Sequence, residues 1–308
     1  MRLLRAIADF RAAGRDVAFA AGFFDGVHLG HRRVIESARA RGGEAWALTF
    51  ARHPSTVLAP GNPRPLLTPL DARLELLAAA GLDGCLLLDF TPRLASMPPR
   101  EFVESLGPNA RSFHSGAAWR FGHNGAGTPG LLRAWNHDVE VVPAVLWRGE
   151  PVSSTRVRGA VLAGDLDAAA HMLGRPYSIR EAVIPGRAIG RGLGAPTLNF
   201  SPVADVLPPH GVYAARVRLP GDAEPRGGVA NFGFRPTFPD RPDAPVLEVH
   251  LFDPPGRDTQ GLAVEIQFAA RLRDERAFDS PAALAAQIRR DCDAARQAFR
   301  GSFPRLGI

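Results

Sequence analysis

Apolar runs and amphipathic stretches alternate along the first half of the chain. Four apolar runs predict buried strands at residues 17–24, 44–50, 86–90 and 139–146. Segments with apolar residues at helical spacing predict helices at residues 31–41, 70–81 and 99–106. Because strands that alternate with helices are typical of parallel sheets, this half is predicted to be a parallel sheet covered by helices.

The pattern changes after Gly174, where strands are no longer separated by helices. An amphipathic segment at residues 155–174 predicts one helix before the change. Beyond it, strands are expected at residues 177–184, 211–219, 246–252 and 262–273, and a last helix at 280–299. Consecutive strands joined by loops favour an antiparallel barrel. We therefore predict two domains, residues 1–176 and 177–308.

One helix start carries several local signals. Thr68, Pro69 and Asp71 predict an N-cap, a proline in the first turn and a capping acid, in that order. The helix that follows is expected to end at Gly81.

Composition places the 308-residue chain among ordinary globular proteins, with 45% hydrophobic and 22% charged residues. All 37 basic residues are arginine, which excludes a mechanism that needs a lysine, such as a Walker-type phosphate loop. The net charge of +6 suits anionic partners. The arginines are spread along the chain without an RNA-binding signature, so phosphorylated small molecules explain the charge equally well.

The two cysteines, Cys85 and Cys292, lie in different halves and form no disulfide framework or metal-ligand spacing. A reducing cytoplasm is the expected location. No apolar run has membrane-spanning length, and the arginines near the start interrupt any signal-peptide pattern.

The most informative segment is residues 22–31, which reads Gly-Phe-Phe-Asp-Gly-Val-His-Leu-Gly-His and follows an apolar run. This order predicts a strand, a glycine-punctuated turn and a helix. His28 and His31 are three residues apart, so both imidazoles are expected on one side of a helix N-terminus, where N–H groups and the helix dipole favour anions. A metal pair or two solvated histidines would explain a lone histidine pair, but the whole segment favours nucleotide phosphate chemistry.

A second anion site is predicted at residues 153–158, Ser-Ser-Thr-Arg-Val-Arg, which open the amphipathic segment. Hydroxyls and main-chain N–H groups at a helix start can bind phosphate, although ordinary N-capping explains the same residues.

Two further motifs lie in the second half. Residues 186–199 contain four glycines followed by Pro196, Thr197 and Asn199, which suit a phosphate-wrapping loop and oxygen ligands for Mg²⁺. Glu248 is a carboxylate inside an apolar strand; it needs either a partner such as an arginine or a chemical role.

Together, these residues resemble the prokaryotic bifunctional riboflavin kinase/FMN adenylyltransferase (FAD synthetase) family. The resemblance covers nearly the whole chain, with matching order and spacing. The matching segments are residues 22–31, 49–54, 121–122, 153–158, 174–177, 196–199, 211–213, 231–238, 248–253 and 271–278. The family resemblance implies an N-terminal Rossmann-like nucleotidyltransferase domain with a parallel sheet. It also implies a C-terminal antiparallel β-barrel of the riboflavin kinase type with a terminal helix.

The resemblance implies two reactions, phosphorylation of riboflavin to FMN and adenylylation of FMN to FAD with release of pyrophosphate. Glu248 is expected to be the base of the kinase reaction, Thr197 and Asn199 to hold Mg²⁺, and His28 and His31 to act on the ATP phosphates. The residues expected to bind substrate or ATP are Gly22, Phe24, Asp25, Gly26, Gly30, Ser154, Thr155, Arg156, Gly186, Gly190, Arg191, Gly194, Pro196 and Asn231. Mg²⁺ is expected to enter with ATP, and no tightly bound prosthetic group is required. Riboflavin, FMN and ATP are the expected partners, without nucleic acid or membrane, and the oligomeric state is left open.

The sequence departs from the family pattern at Ala118, where an Asp or Asn is usual, and at Arg52, where a proline is usual. An alanine donates and accepts no hydrogen bond, so adenylylation is expected to be affected more than phosphorylation. A riboflavin kinase with weakened or lost adenylylation is therefore the alternative. A flavin-binding regulator and an RNA-binding protein are the alternatives from other functional classes.

Overall fold

A computed structural model describes residues 1–185, 197–234 and 245–300, without the side chains of residues 234 and 281. The chain divides into two units, Met1–Ser154 and Thr155–Ile308. The domain boundary predicted from the sequence at residue 176 stays a prediction.

The first unit is built on a six-stranded sheet in which every strand pair is parallel. Its strands are β1 (Arg2–Leu4), β2 (Val17–Ala21), β3 (Glu44–Phe50), β4 (Gly84–Leu88), β5 (Ala110–Gly116) and β6 (Asp138–Val142). Its helices are α1 (Ile7–Ala12), α2 (Leu29–Ala40), α3 (Ser55–Leu58), α4 (Leu70–Ala79), α5 (Pro92–Ala95), α6 (Pro99–Leu106) and α7 (Pro129–Ala134). A short hairpin, β7 (Leu146–Trp147) and β8 (Glu150–Pro151), ends the unit.

The strand order, β1-β4-β3-β2-β5-β6, locates the expected ligand crevice. The chain proceeds from β2 through β3 to β4, and then returns to the other side of β2 to form β5. The order therefore reverses between β2 and β5. Ligands of such sheets bind beyond the carboxyl ends of the strands at this reversal. The segment that follows β2 begins at Gly22, so the histidine motif lies at the reversal.

Apolar packing on both faces explains why the sheet strands are continuous apolar runs. All five residues of β2 are buried. Phe19 and Ala21 pack into one core cluster, and Ala18 and Ala20 pack into a second. Because successive strand residues point to opposite faces, the sheet separates two hydrophobic layers.

In its described residues, the second unit contains two helices, an antiparallel sheet and a final helix. Its elements are α8 (Ser154–Leu162), α9 (Leu166–Leu173), β9 (Tyr177–Ala182), β10 (Thr197–Phe200), β11 (Gly211–Arg218), β12 (Arg226–Phe234), β13 (Pro245–Leu251), β14 (Ala263–Arg273) and α10 (Pro281–Arg300). The first residue of α8, Ser154, is the last residue of the first unit.

The strands of the second unit are arranged in the order β10-β13-β12-β11-β14-β9, with antiparallel neighbours throughout. The sheet curls, and one isolated antiparallel bridge joins Ile184, just after β9, to Asn199 in β10. This bridge links the two edge strands, so the sheet is a partly closed barrel. Helix α10 packs against it through Cys292 and Ala295.

The predicted fold class is confirmed, because a parallel α/β unit is followed by a curled antiparallel sheet and a terminal helix. Among the described residues, none of the helices combines the length and apolar character needed to cross a bilayer. Both cysteines are buried free thiols, and burial raises the pKa of Cys85 to about 12.

Several predicted element boundaries were wrong. The single helix expected at 155–174 is two helices, because Gly164 adopts a positive φ of 76° and Asp165 caps the second helix at Ala168 N–H. The first strand ends at Ala21 rather than residue 24, because Phe24 has a φ of 62°. Strands β1, β5, β8, β10 and β12 were not predicted.

The predicted cap of α4 was also wrong. Pro69 is the N-cap residue and makes no side-chain capping hydrogen bond. The main-chain N–H of Thr68 instead donates to the Asp25 carboxylate, at 3.2 Å. A tertiary contact therefore replaces the local capping box at this helix start.

A buried histidine makes the stability of the first unit sensitive to acid. His114 in β5 is 4% exposed, and its two ring nitrogens contact the hydroxyls of Ser37 and Ser112 at 2.8 and 3.1 Å. Burial lowers the pKa of His114, against smaller opposing effects from Asp138 and Glu140. Below the unfolded-state pKa of about 6.5, His114 is protonated in the unfolded chain but stays neutral to a lower pH in the folded chain. The free energy of unfolding therefore decreases as the pH falls.

We predict that His114→Gln flattens the pH dependence of the unfolding free energy below about pH 6.5, where one proton accounts for at most about 1.4 kcal/mol per pH unit. Urea titrations between pH 5 and 8 measure this slope. The control is His123→Gln, at an exposed position. Equal slopes for the wild type and His114→Gln would contradict the prediction.

Candidate active sites

The turn after β2 has a backbone that few residues adopt without outside support. Phe24, Gly26 and Val27 have φ values of 62°, 80° and 39°. A positive φ costs about 1–3 kcal/mol for a residue such as the β-branched Val27, and strain of this kind is often found at ligand sites. The side chains of Phe24 and Val27 are each 1% exposed, so packing in the core stabilises this backbone conformation.

The strained turn is followed by two histidines at the start of α2. His28 is the N-cap residue, and its Nδ1 accepts a hydrogen bond from the His31 main-chain N–H at 3.3 Å. The two imidazole rings stack, with centroids 3.6 Å apart and planes 16° apart. A Cβ at position 30 would lie 3.1 Å from Cε1 of His28, so Gly30 gives the ring its space. The amino end of α2 therefore presents both imidazoles together with the positive end of the helix dipole.

Asp25 connects this turn to the segment before α4. Its carboxylate is 4% exposed and accepts hydrogen bonds from the main-chain N–H groups of Leu67 and Thr68. Its carbonyl oxygen accepts from the Ser154 hydroxyl at 2.9 Å. These contacts fix the turn to the segment before α4, and the ATP contact predicted for Asp25 stays a prediction.

Arg73 is buried beneath the same turn and was missed by the sequence reasoning. Its guanidinium donates to the carbonyl oxygens of Phe23, Phe50 and Ala51, at 3.1, 2.6 and 3.0 Å. It also lies 4.2 Å from the centroid of the Phe23 ring. Arg73 is 1% exposed, and burial lowers its pKa to about 10 against the opposing charge of Asp25. The ends of β2 and β3 are therefore fixed by one cation.

A signal for Arg73 was present in the sequence. Leu70, Leu74 and Leu77 define the apolar stripe of α4, and Arg73 lies between them at helical spacing. An arginine on an apolar stripe is buried or excluded from the core, and burial requires hydrogen-bond acceptors.

The residues expected to bind phosphate at α8 lie at the start of that helix. Ser154, the first residue of α8, donates a hydrogen bond from its hydroxyl to the main-chain carbonyl oxygen of Asp25. Thr155 and Arg156 follow in the first turn of α8, and their predicted contact with phosphate stays a prediction. Ala118, the departure from the family pattern, is exposed two residues after β5, at the strand reversal.

In the second unit, three polar side chains occupy one row across adjacent strands. Asn199 of β10 and Asn231 of β12 are each directly opposite Glu248 of β13. Directly opposite residues share a sheet face, with Cβ atoms about 5 Å apart. Glu248 is half-buried, not buried as the sequence predicted, because β13 alternates buried apolar residues with a polar face.

A cavity of about 690 Å³ adjoins this row. It is lined by Thr197 and Asn199 of β10, by residues 183–185 and by residues 254–260. Nδ2 of Asn199 donates to the main-chain carbonyl oxygen of Thr197 at 3.3 Å. The side-chain oxygen Oδ1 of Asn199 is therefore the end of the amide that can bind a cation. The size is typical of small-ligand pockets, which span about 300–1,000 Å³.

Some predicted site residues lie outside the described residues. These are Gly186, Gly190, Arg191, Gly194 and Pro196. In the part of the chain that is described, no three His, Cys, Asp or Glu side chains are grouped so that they could hold a metal ion.

Two family models match the chain in succession. A FAD synthetase model matches residues 11–156, and a riboflavin kinase model matches residues 173–299. The histidine turn therefore falls in the first match, and the row around Glu248 falls in the second.

Curated relatives match nearly the whole chain. All three described here are named bifunctional riboflavin kinase/FMN adenylyltransferase. The protein of Pseudomonas fluorescens is 35% identical, over 96% of this chain and 97% of its own length. That of Bacillus subtilis is 34% identical, over 88% and 89%. That of Escherichia coli K12 is 32% identical, over 97% and 98%.

One solved structure matches over the same length. A protein of Streptococcus pneumoniae described as a macrolide-efflux protein is 28% identical, with a TM-score of 0.82 over 96% of this chain and 98% of that chain. Both units of the fold are therefore found together in a solved structure.

We predict that Arg73→Met lowers the free energy of unfolding of the first unit by about 3 kcal/mol, because three carbonyl oxygens lose a buried charged donor. Urea unfolding measures the loss. The control is Arg100→Met, which removes an exposed arginine paired with Glu104 and should cost less than about 0.5 kcal/mol. Equal losses in the two variants would show that Arg73 does not hold the strand ends.

Proposed function

The chain belongs to the family of bifunctional riboflavin kinase/FMN adenylyltransferases, and from this membership we propose how its residues divide the two reactions. The enzyme phosphorylates riboflavin to FMN and adenylylates FMN to FAD. The second unit carries the first reaction, and the first unit carries the second reaction.

Glu248 is the general base of the kinase reaction. It accepts the proton of the riboflavin 5′-hydroxyl as that oxygen attacks the γ-phosphorus of ATP, and the bond to ADP breaks. The observation that supports this role is the row of Asn199, Glu248 and Asn231, in which Asn199 also lines the cavity. A half-buried carboxylate between two carboxamides is exposed enough to meet a substrate hydroxyl and is fixed enough to act as a base.

Thr197 and Asn199 fit a magnesium ion that arrives with ATP. They are two residues apart on β10, so their oxygens face the same side, and the Asn199 NH₂ group is directed away to the Thr197 carbonyl. Oxygen donors combined with substrate phosphates are the usual ligands of Mg²⁺. The ion would neutralise charge that develops on the transferred phosphoryl group.

His28 and His31 bind the phosphates of a second ATP during adenylylation. The FMN phosphate attacks the α-phosphorus, and the bond to the departing pyrophosphate breaks, so no side-chain nucleophile is needed. Stacked imidazoles at a helix N-terminus stabilise the charge that accumulates on the phosphate oxygens. Gly22, Phe24, Gly26 and Gly30 shape the turn that brings them there.

Other residues have supporting roles in this proposal. Asp25 positions the turn, and Ser154, Thr155 and Arg156 contact phosphate from α8. The glycine-rich segment from Gly186 to Gly194, proposed to bind the phosphates of the kinase nucleotide, lies outside the described residues. The buried free thiols of Cys85 and Cys292 support a location in the reducing cytoplasm.

We predict that Glu248→Gln separates the two activities. Formation of FMN from riboflavin should fall by about 10²–10⁴-fold, because glutamine accepts no proton, whereas adenylylation of supplied FMN should be unchanged. Chromatography of riboflavin, FMN and FAD measures both reactions in one sample. The control is Glu265→Gln, which removes a carboxylate of β14 paired with Arg218. Unchanged FMN formation in Glu248→Gln would rule out this base.

We predict that Ala118→Asn raises kcat/KM for FAD formation by about tenfold to a hundredfold, because it adds a hydrogen-bonding group at the strand reversal. FMN formation should stay constant. The control is Ala117→Asn, at the exposed neighbouring position. If the wild type makes FMN but no FAD, the alternative of a riboflavin kinase without adenylylation is correct.

A further inference from the structure

The carboxylate of Glu275 reaches the polar row of the second unit from outside the sheet. Oε1 of Glu275 lies 3.3 Å from Nδ2 of Asn231, the residue opposite Glu248. A carboxylate only accepts hydrogen bonds, so the NH₂ group of Asn231 must face Glu275. The carbonyl oxygen of Asn231 is then directed elsewhere, and it is the acceptor that the side chain presents to a ligand.

Glu275 is held by the residues around it. Arg273, two positions earlier, donates to both carboxylate oxygens of Asp291 in α10, with its Nη2 at 2.8 Å from Oδ2. Arg276, the next residue, donates to Gln287 in the same helix. Because Asp291 and Gln287 are 5% and 7% exposed, α10 fixes the segment on both sides of Glu275.

Gly233 makes room for this carboxylate. A Cβ at position 233 would overlap the carboxylate of Glu275. Gly233 lies two residues after Asn231 on β12, so both point to the same face of the sheet. The absence of a side chain at position 233 is therefore what allows Glu275 to approach Asn231.

We propose that Glu275 is a positioning residue of the kinase reaction. By accepting a hydrogen bond from Asn231, it directs the Asn231 carbonyl oxygen toward a hydroxyl of the ribityl chain of riboflavin. This inference rests on the proposed function of the Glu248 row. It assigns riboflavin recognition to the contact between Asn231 and Glu275, and ATP recognition to the cavity beside Asn199.

The test exchanges donor and acceptor between the two residues. Asn231→Asp places a second carboxylate next to that of Glu275, and the two repel each other. KM for riboflavin should rise by at least about tenfold and recover in part at lower pH, where one carboxylate is protonated. The double variant Asn231→Asp/Glu275→Gln restores a donor and an acceptor in exchanged positions. Its KM for riboflavin should return to within about threefold of the wild type. KM for ATP should stay constant in both.

A second test uses the glycine. Gly233→Ala should raise KM for riboflavin by about threefold to tenfold, because the new methyl group displaces Glu275. The same substitution in a Glu275→Ala background should have no further effect. Asp274→Asn is the control, because this neighbouring carboxylate pairs with Arg271 and not with Asn231.

The outcomes separate this inference from the proposed function. Failure of the wild type to form FMN would overturn the function of the second unit. If the wild type forms FMN, a double variant no better than Asn231→Asp would overturn the role of Glu275. Additive losses from Gly233→Ala and Glu275→Ala would do the same. Thermal midpoints and adenylylation of supplied FMN, measured on each sample, identify a variant that is merely misfolded.

Discussion

Arg73 places a charged guanidinium beneath the carboxyl ends of two parallel strands, at 1% exposure. Its three hydrogen bonds go to carbonyl oxygens at the points where the chain leaves the sheet after β2 and β3. The Phe23 oxygen also accepts from the Thr49 hydroxyl, at 3.1 Å. A carbonyl oxygen left without a donor in a dry interior is costly. The buried cation and the Thr49 hydroxyl therefore satisfy the carbonyl oxygens at the point where the chain leaves the sheet, and the turn with the two histidines begins there.

The second unit solves a related problem with a different geometry. A chemically active row must be polar, and a sheet that packs against a helix must be apolar. Both requirements fall on one face of the sheet. In β13, Leu247, Val249 and Leu251 are buried on the other face, and Glu248 and His250 are half-buried on the face that α10 contacts. The polar row lies beside the apolar contact with α10, since Val212 is opposite Asn231 in β11 and packs in the α10 cluster. The same face therefore carries both the helix contact and the polar row.

The sequence was sufficient for the fold class and for the family, because alternation of apolar runs and a long ordered set of motifs do not depend on tertiary detail. It was insufficient where a distant residue decides a local structure. Thr68 looks like an N-cap, but Asp25, 43 residues away, binds its N–H group. Residues 110–116 mix Arg, Ser and His with apolar residues, and they form a strand because β2 and β6 pair on either side. The pairing of Asn231 with Glu248 depends on strand register, which the pattern of single strands does not give.

Among the described residues, the bridge between Ile184 and Asn199 joins barrel closure to the cavity. Asn199 is both the residue that accepts the Ile184 amide hydrogen through its carbonyl, at 2.8 Å, and a residue that lines the cavity. Transient opening of this bridge would move the Asn199 side chain away from its neighbours. A nucleotide that binds to Asn199 would therefore also stabilise the bridge. Hydrogen exchange of the Ile184 amide with solvent would then slow when the cavity is filled.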